Sequence, residues 1–352
     1  MAGMSKVQAW GVAAAGKPLG AMTIDRRDPG PHDVVIDIQY CGICHSDIHQ
    51  ARDEWGGAIF PMVPGHEIVG RVTHVGAQVT KVKVGDLAGV GCLVDSCRTC
   101  GPCKSGLEQF CENGWSGTYN STEMDRKTVT YGGYSTQIVV ADAFTLRVPD
   151  KLDPAGAAPL LCAGITTYSP LRQFGCKQGD RVGVVGLGGL GHMAVKLAAS
   201  MGAHVTVLST SASKEADAKK LGAHEFVVTK SAAAMKQLGG KLDLIIDTVS
   251  AEHDYDAYLG LLRARGTMAV VGAPPHAIPL HAFALIMGGR RLAGSLIGGI
   301  AETQEMLDHC AEHGIVSDIE IIPVQKVNEA YERVLKSDVR YRFVIDVGSM
   351  RL

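Results

Sequence analysis

Cys97, Cys100, Cys103 and Cys111 stand as Cys-x-x-Cys-x-x-Cys with a fourth cysteine close behind. Thiolates at that pitch can converge on one tetrahedral ion, with Zn–S bonds of about 2.3 Å. Four protein ligands leave no place for substrate, so a zinc held there would be structural. Gly101 and Pro102, inside the pattern, favour the tight turn it requires. The competing reading of the same residues is a pair of disulfides or scattered buried thiols.

A second group of soft donors is dispersed. Cys44 lies in Cys41-Gly-Ile-Cys44-His45-Ser46-Asp47-Ile48-His49, His66 and Glu67 lie in Pro64-Gly-His66-Glu67-Ile68, and Cys162 follows Pro159-Leu-Leu161. Cys, His and Cys form the ligand set of a catalytic zinc that keeps one position open. Spacing alone does not join residues this far apart, and Cys162 taken singly reads first as a buried core thiol.

A third feature is Gly186-Leu187-Gly188-Gly189-Leu190-Gly191, between the β-type run Arg181–Val185 and a helical pattern through Met193 to Met201. The first glycine permits the tight turn, the second lets backbone approach a pyrophosphate, and the last allows close helix–strand packing. The helix N-terminus then offers free N–H groups and a positive dipole end to phosphates. In an NAD site an acid stands about 20 residues further on and binds the ribose 2′-OH. Here that place reads Leu208-Ser209-Thr210-Ser211-Ala-Ser213-Lys214, with no acid before Glu215. Hydroxyls and an ammonium accept a 2′-phosphate that a carboxylate would repel, so NADP(H) is the expected cofactor.

The elements that must position these residues fall into two textures. Up to about Asp153 the chain consists of short β-type runs, such as Val34–Ile38, Ile68–Val72 and Thr136–Val140, broken by turns at Asp28–Pro31 and Val84–Asp86. Beyond it, strands alternate with helical patterns; His204–Leu208, Leu242–Ile246 and Thr267–Val271 are further apolar runs. Such alternation predicts a parallel, doubly wound sheet. At 352 residues the chain suits two domains. A net charge of −2 from 34 basic and 36 acidic residues shows no footprint for nucleic acid. No apolar run approaches the roughly 18 residues of a membrane span, and the first residues lack a secretory apolar region. Ten cysteines point to a reducing compartment, with the cytoplasm as the expected location.

The run Gly65-His66-Glu67-x-x-Gly70-x5-Gly76-x-x-Val79 resembles the signature of zinc-containing medium-chain alcohol dehydrogenases, and the resemblance extends from Val7 to Val347. Cys41–Asp47, Pro159–Ile165, Gly298–Met306 and Asp338–Val344 are similar to the cinnamyl-alcohol-dehydrogenase-like branch. The resemblance implies an α/β fold: a GroES-like β-rich catalytic domain over residues 1–154, a Rossmann domain over 155–297, and a return segment, 298–352, that completes the first. It implies two zinc ions per chain, one structural and one held by Cys44, His66 and Cys162. That second ion would polarise the oxygen of a primary alcohol or aldehyde (aromatic, allylic or medium-chain) during hydride transfer with NADP(H). By the same resemblance Ser46 passes the alcohol proton through a cofactor ribose hydroxyl to His49, Asp47 fixes the ring of His66, Glu67 contacts the metal transiently, and His45 faces the pyrophosphate. Trp55 and Trp115 become candidates for the substrate pocket. Many cinnamyl-type sequences carry an aromatic residue just before Thr-Tyr-Asn, whereas Gly117 precedes Thr118-Tyr119-Asn120 here. A homodimer is implied, with Gly272–Leu296 near its interface. The alternatives are a polyol or secondary-alcohol dehydrogenase on the same fold, or an NADPH-binding zinc protein without turnover.

Overall fold

In a computed structural model, residues 5–274 and 276–351 are described; Pro275, inside the expected interface segment, lies outside them. The chain divides into two compact units, one comprising the residues up to Cys162 together with those from Gly298 onward, the other Ala163–Ile297.

In the first unit Asp33–Gly42 is the central strand of a seven-stranded sheet. Ile68–Val75 and Gln137–Ala141 pair with it antiparallel, as does Arg342–Asp346 from the far end of the sequence. Ile319–Pro323 extends the sheet parallel to Arg342–Asp346. This is why the C-terminal segment belongs to the first unit: its strands bury Phe343, Val344 and Ile345 in that unit's core. The segment also carries two helices, Ile300–His313 and Val327–Leu335. The second buries Val327, Ala330, Tyr331 and Val334, an i, i+3, i+4, i+7 stripe.

The second unit is a six-stranded sheet in which every pair is parallel. Taken in chain order, Arg181–Val185, His204–Ser209, Glu225–Val228, Leu242–Asp247, Leu262–Val270 and Arg291–Gly294 lie in the spatial order third, second, first, fourth, fifth, sixth. That is the doubly wound arrangement of dinucleotide-binding sheets. Val182, Val184 and Val185 are buried, as are Val205, Val207 and Leu208, because helices cover both faces and leave no strand position for alternation. The expected helix begins at Gly191 and runs to Ser200, taking its first turn directly from the glycine run.

Candidate active site and metal centres

Cys97, Cys100, Cys103 and Cys111 bring their sulfurs within 4.8 Å of one another. Thiolates bound tetrahedrally at about 2.3 Å lie about 3.8 Å apart; Cys97 Sγ and Cys103 Sγ are 3.9 Å apart, far beyond a disulfide, and all ten cysteines are free. The short helix Gly101–Lys104 turns the chain back, with Pro102 in its first turn. Cys97 N donates to Cys111 Sγ and Cys100 N to Cys97 Sγ, both at 3.4 Å. Hydrogen bonds from the Thr99 amide and its neighbours lower the Cys97 thiol to about 5. Burial and the neighbouring sulfurs push the Cys103 thiol the other way, to about 12, so the backbone donors favour a thiolate at Cys97, and a bound cation would have to draw the proton from Cys103.

The second set, Cys44, His66, Glu67 and Cys162, also converges within 4.8 Å. Cys44 caps the helix His45–Ala51, which delivers Ser46, Asp47 and His49. Cys162 ends the 3₁₀ turn Ala158–Leu161, and this turn sets its sulfur 3.9 Å from Cys44 Sγ. The contact between the two thiols pulls the Cys44 thiol down and pushes the Cys162 thiol up. Their fit to a soft divalent ion is the same as in the lobe, but with three N/S donors instead of four.

Asp47, fully buried, accepts from Cys44 N at 2.8 Å and Gly65 N at 3.1 Å, and its Oδ1 lies 3.3 Å from His66 Nδ1. This fixes the imidazole by one nitrogen and leaves the other for a metal. Glu67 is also fully buried and pairs with Arg342, whose Nη2 additionally donates to Ile43 O at 2.8 Å. Burial pushes the Glu67 carboxyl up in pKa, and the guanidinium opposes it. Gly42 is required beneath this pair: a Cβ there would meet Glu67 Oε2 at 1.8 Å. No motif of the sequence assigns Arg342 a role; a lone arginine in the apolar run Arg342–Asp346 is the available signal.

Ser46 Oγ accepts from Cys44 Sγ at 3.6 Å. His49 follows one turn later on the same face of the helix. Its Nδ1 is held by Glu54 Oε2 and its ring stacks on Trp55, centroids 5.0 Å apart. Glu54 belongs to no motif of the sequence and emerges only from this contact. Trp55 is 56% exposed, one face of its indole resting on His49. His45 is exposed, 6.3 Å ring to ring from His49. Trp115 is half-buried, and a Cβ at Gly117 would meet its Cζ3 at 3.2 Å. The indole thus covers the space into which an aromatic residue at 117 would project. Tyr119 stacks on His66 at 5.8 Å.

In the other unit Gly186 takes φ +88°, and a Cβ on Gly191 would meet Gly186 O at 2.2 Å. Around Gly188 nothing lies within 4 Å of such a Cβ, so the backbone is open to a ligand. Leu187, by contrast, is buried beneath the loop; Gly189 and Leu190 complete the turn into the helix. Ser209 ends its strand buried, its Oγ 3.3 Å from Ser211 N, while Thr210 is exposed. Ser211 and Ser213 hydroxyls lie 2.8 Å apart, and Lys214 Nζ donates to Leu187 O at 3.0 Å. These contacts gather the hydroxyls and the ammonium beside the glycine loop. Glu215, the first acid, points into an i, i+4 pair with Lys219.

Residues 30–150 match the alcohol dehydrogenase GroES-like domain and residues 189–312 the zinc-binding dehydrogenase domain. NADP-dependent alcohol dehydrogenase C 1 of Mycolicibacterium smegmatis is 56% identical over 349 residues, covering 99% of this chain and 100% of that protein. Aldehyde reductase YahK of Escherichia coli is 56% identical over 97% of this chain and 98% of its own length. Among solved structures, a cinnamyl alcohol dehydrogenase of Sorghum bicolor, SbCAD4, superimposes with a TM-score of 0.95 at 48% identity, covering 98% of each chain. With both domain types present and full-length relatives at this identity, the chain belongs to the zinc-containing medium-chain alcohol dehydrogenase family, in its cinnamyl-alcohol-dehydrogenase-like branch.

Proposed function

We propose that this protein interconverts primary alcohols and aldehydes with NADP(H), and that it works as an aldehyde reductase of broad substrate range. The observation that carries this reading is the convergence of Cys44, His66 and Cys162 next to the Ser46 hydroxyl. Those three residues hold the catalytic zinc and the four-cysteine lobe holds a structural one. When bound, the catalytic zinc supplies Lewis-acid polarisation of the substrate oxygen. Asp47 keeps His66 oriented, and Arg342 holds the Glu67 carboxylate. Ser46 Oγ both accepts and donates, so it can return a proton to the oxygen as the alcohol forms. His49, with Nδ1 tied to Glu54, exchanges that proton with solvent through its other nitrogen.

Gly186–Gly191 receives the pyrophosphate. Ser209, Thr210, Ser211 and Lys214 receive the 2′-phosphate. Two copies associate through the strand Arg291–Gly294, which has a partner on one side only among the described residues. Beside it Phe283, Ile286 and Met287 are 71%, 65% and 77% exposed, a patch that association would bury. No helix among the described residues is long and apolar enough to cross a membrane. Free thiols throughout support the cytoplasm.

Initial rates with cinnamaldehyde, benzaldehyde and hexanal, each with NADPH and NADH, test the reading. Faster consumption of NADPH on these aldehydes supports it. Preference for NADH overturns the cofactor assignment, and turnover confined to polyols or secondary alcohols overturns the substrate class.

A further inference from the structure

Tyr134 is completely buried, yet its hydroxyl is not idle. The phenol donates to Asp47 Oδ2 at 3.2 Å. The same carboxylate takes Cys44 N on Oδ2 and Gly65 N on Oδ1, and Oδ1 faces His66 Nδ1. Tyr134 is also bonded through its backbone to the segment preceding His66: Tyr134 N donates to Pro64 O at 3.0 Å, and Gly133 N to Gly65 O at 2.8 Å. One residue therefore grips the His66 loop by its main chain and, through Asp47, the start of the Cys44 helix by its side chain. A fully buried carboxylate requires its donors, since each lost hydrogen bond exposes uncompensated charge. Among the donors to Asp47 in these contacts, two are backbone amides and one is His66 itself. Of these donors, the Tyr134 phenol can be deleted by a side-chain change without touching a ligand; the Tyr119 hydroxyl also acts on Asp47.

We propose that Tyr134 is a positioning residue for the catalytic metal. It holds Asp47 in the orientation that fixes His66 and couples the two chain segments that supply Cys44 and His66. The proposal rests on the assignment of Cys44, His66 and Cys162 as the catalytic zinc ligands. Groups of this kind set metal affinity by about 10- to 100-fold. Tyr134→Phe keeps the ring and its packing, so loss of the fold is not the expected consequence.

The test follows zinc release from wild type and Tyr134→Phe into a chromogenic chelator, with the four-cysteine lobe as an internal reference. Wild type should release two zinc ions per chain in separate phases. Tyr134→Phe should start with both ions, accelerate one phase about tenfold, leave the other unchanged and lower the melting temperature by no more than a few degrees. The cobalt-substituted variant should show shifted visible bands, and in an Asp47→Asn background the substitution should add nothing further. Wild-type release rates with an unchanged cobalt spectrum would reduce Tyr134 to core filling. Equal acceleration of both phases with a lowered melting temperature would overturn the proposal in favour of general destabilisation. A single zinc in wild type would instead remove the ligand assignment itself, and the proposal with it.

Discussion

Two sets of soft donors sit in the same unit and are built in opposite ways. Cys97 to Cys111 comes from one stretch of chain, and backbone amides aimed at sulfur do much of the arranging. Cys44, His66 and Cys162 come from three stretches, and buried side chains that do not themselves complete the set arrange them: Asp47 behind His66, Arg342 against Glu67 and Tyr134 against Asp47. A set with four ligands is finished by a local turn and can act as a staple. A set that keeps a position open has to be held from outside, so its precision depends on groups that contact no substrate.

Removing one ligand from each set gives the largest expected contrast. His66→Ala should lower kcat by about 10³-fold or more, since Lewis-acid assistance is worth several kcal/mol and each 1.36 kcal/mol is tenfold. The variant should keep its fold and one zinc. Cys103→Ser should do the reverse, lowering the melting temperature and folded yield while the folded fraction keeps its specific activity. Metal analysis, calorimetry and initial rates on the same preparations separate the two.

Arg342→Ala leaves the buried Glu67 without its partner and should destabilise the chain by about 3–5 kcal/mol, read from urea denaturation. Arg342→Met combined with Glu67→Gln should recover most of that loss. His49→Gln should lower kcat by about 10²-fold with little change in KM, and added imidazole should restore part of it. Ser209→Asp, which places an acid at the end of its strand, should shift the kcat/KM ratio of NADPH to NADH by roughly 10- to 100-fold toward NADH. An unchanged ratio would sever Ser209 from cofactor choice.

How far each region was legible in the sequence follows the same contrast. The four-cysteine pattern is read from spacing because a turn alone brings it together. The glycine run was readable for a similar reason: the strand before it and the helix after it are both local patterns. Cys162 had no local signal, since only the 3₁₀ turn Ala158–Leu161 and the strand packing behind it bring its sulfur to Cys44; resemblance joined them. Arg342 meets Glu67 across 275 positions of sequence, and Tyr134 meets Asp47 across 87. No periodicity encodes such meetings. They arise because strand Arg342–Asp346 pairs with Asp33–Gly42, and because the loop ending at Tyr134 is bonded to Pro64 and Gly65. Trp115 illustrates the remaining case: the missing aromatic at Gly117 was visible, but only the packing reveals that the indole two residues earlier covers its place.

The most direct measurement withdraws zinc stepwise and records metal content, aldehyde-reduction rate and circular dichroism on the same samples. The account predicts that activity disappears with the first zinc lost per chain while the protein stays folded around the second. Activity that persists once the site of Cys44, His66 and Cys162 is empty, or that vanishes only as the fold collapses with loss of the four-cysteine zinc, would contradict the division of labour between the two sets.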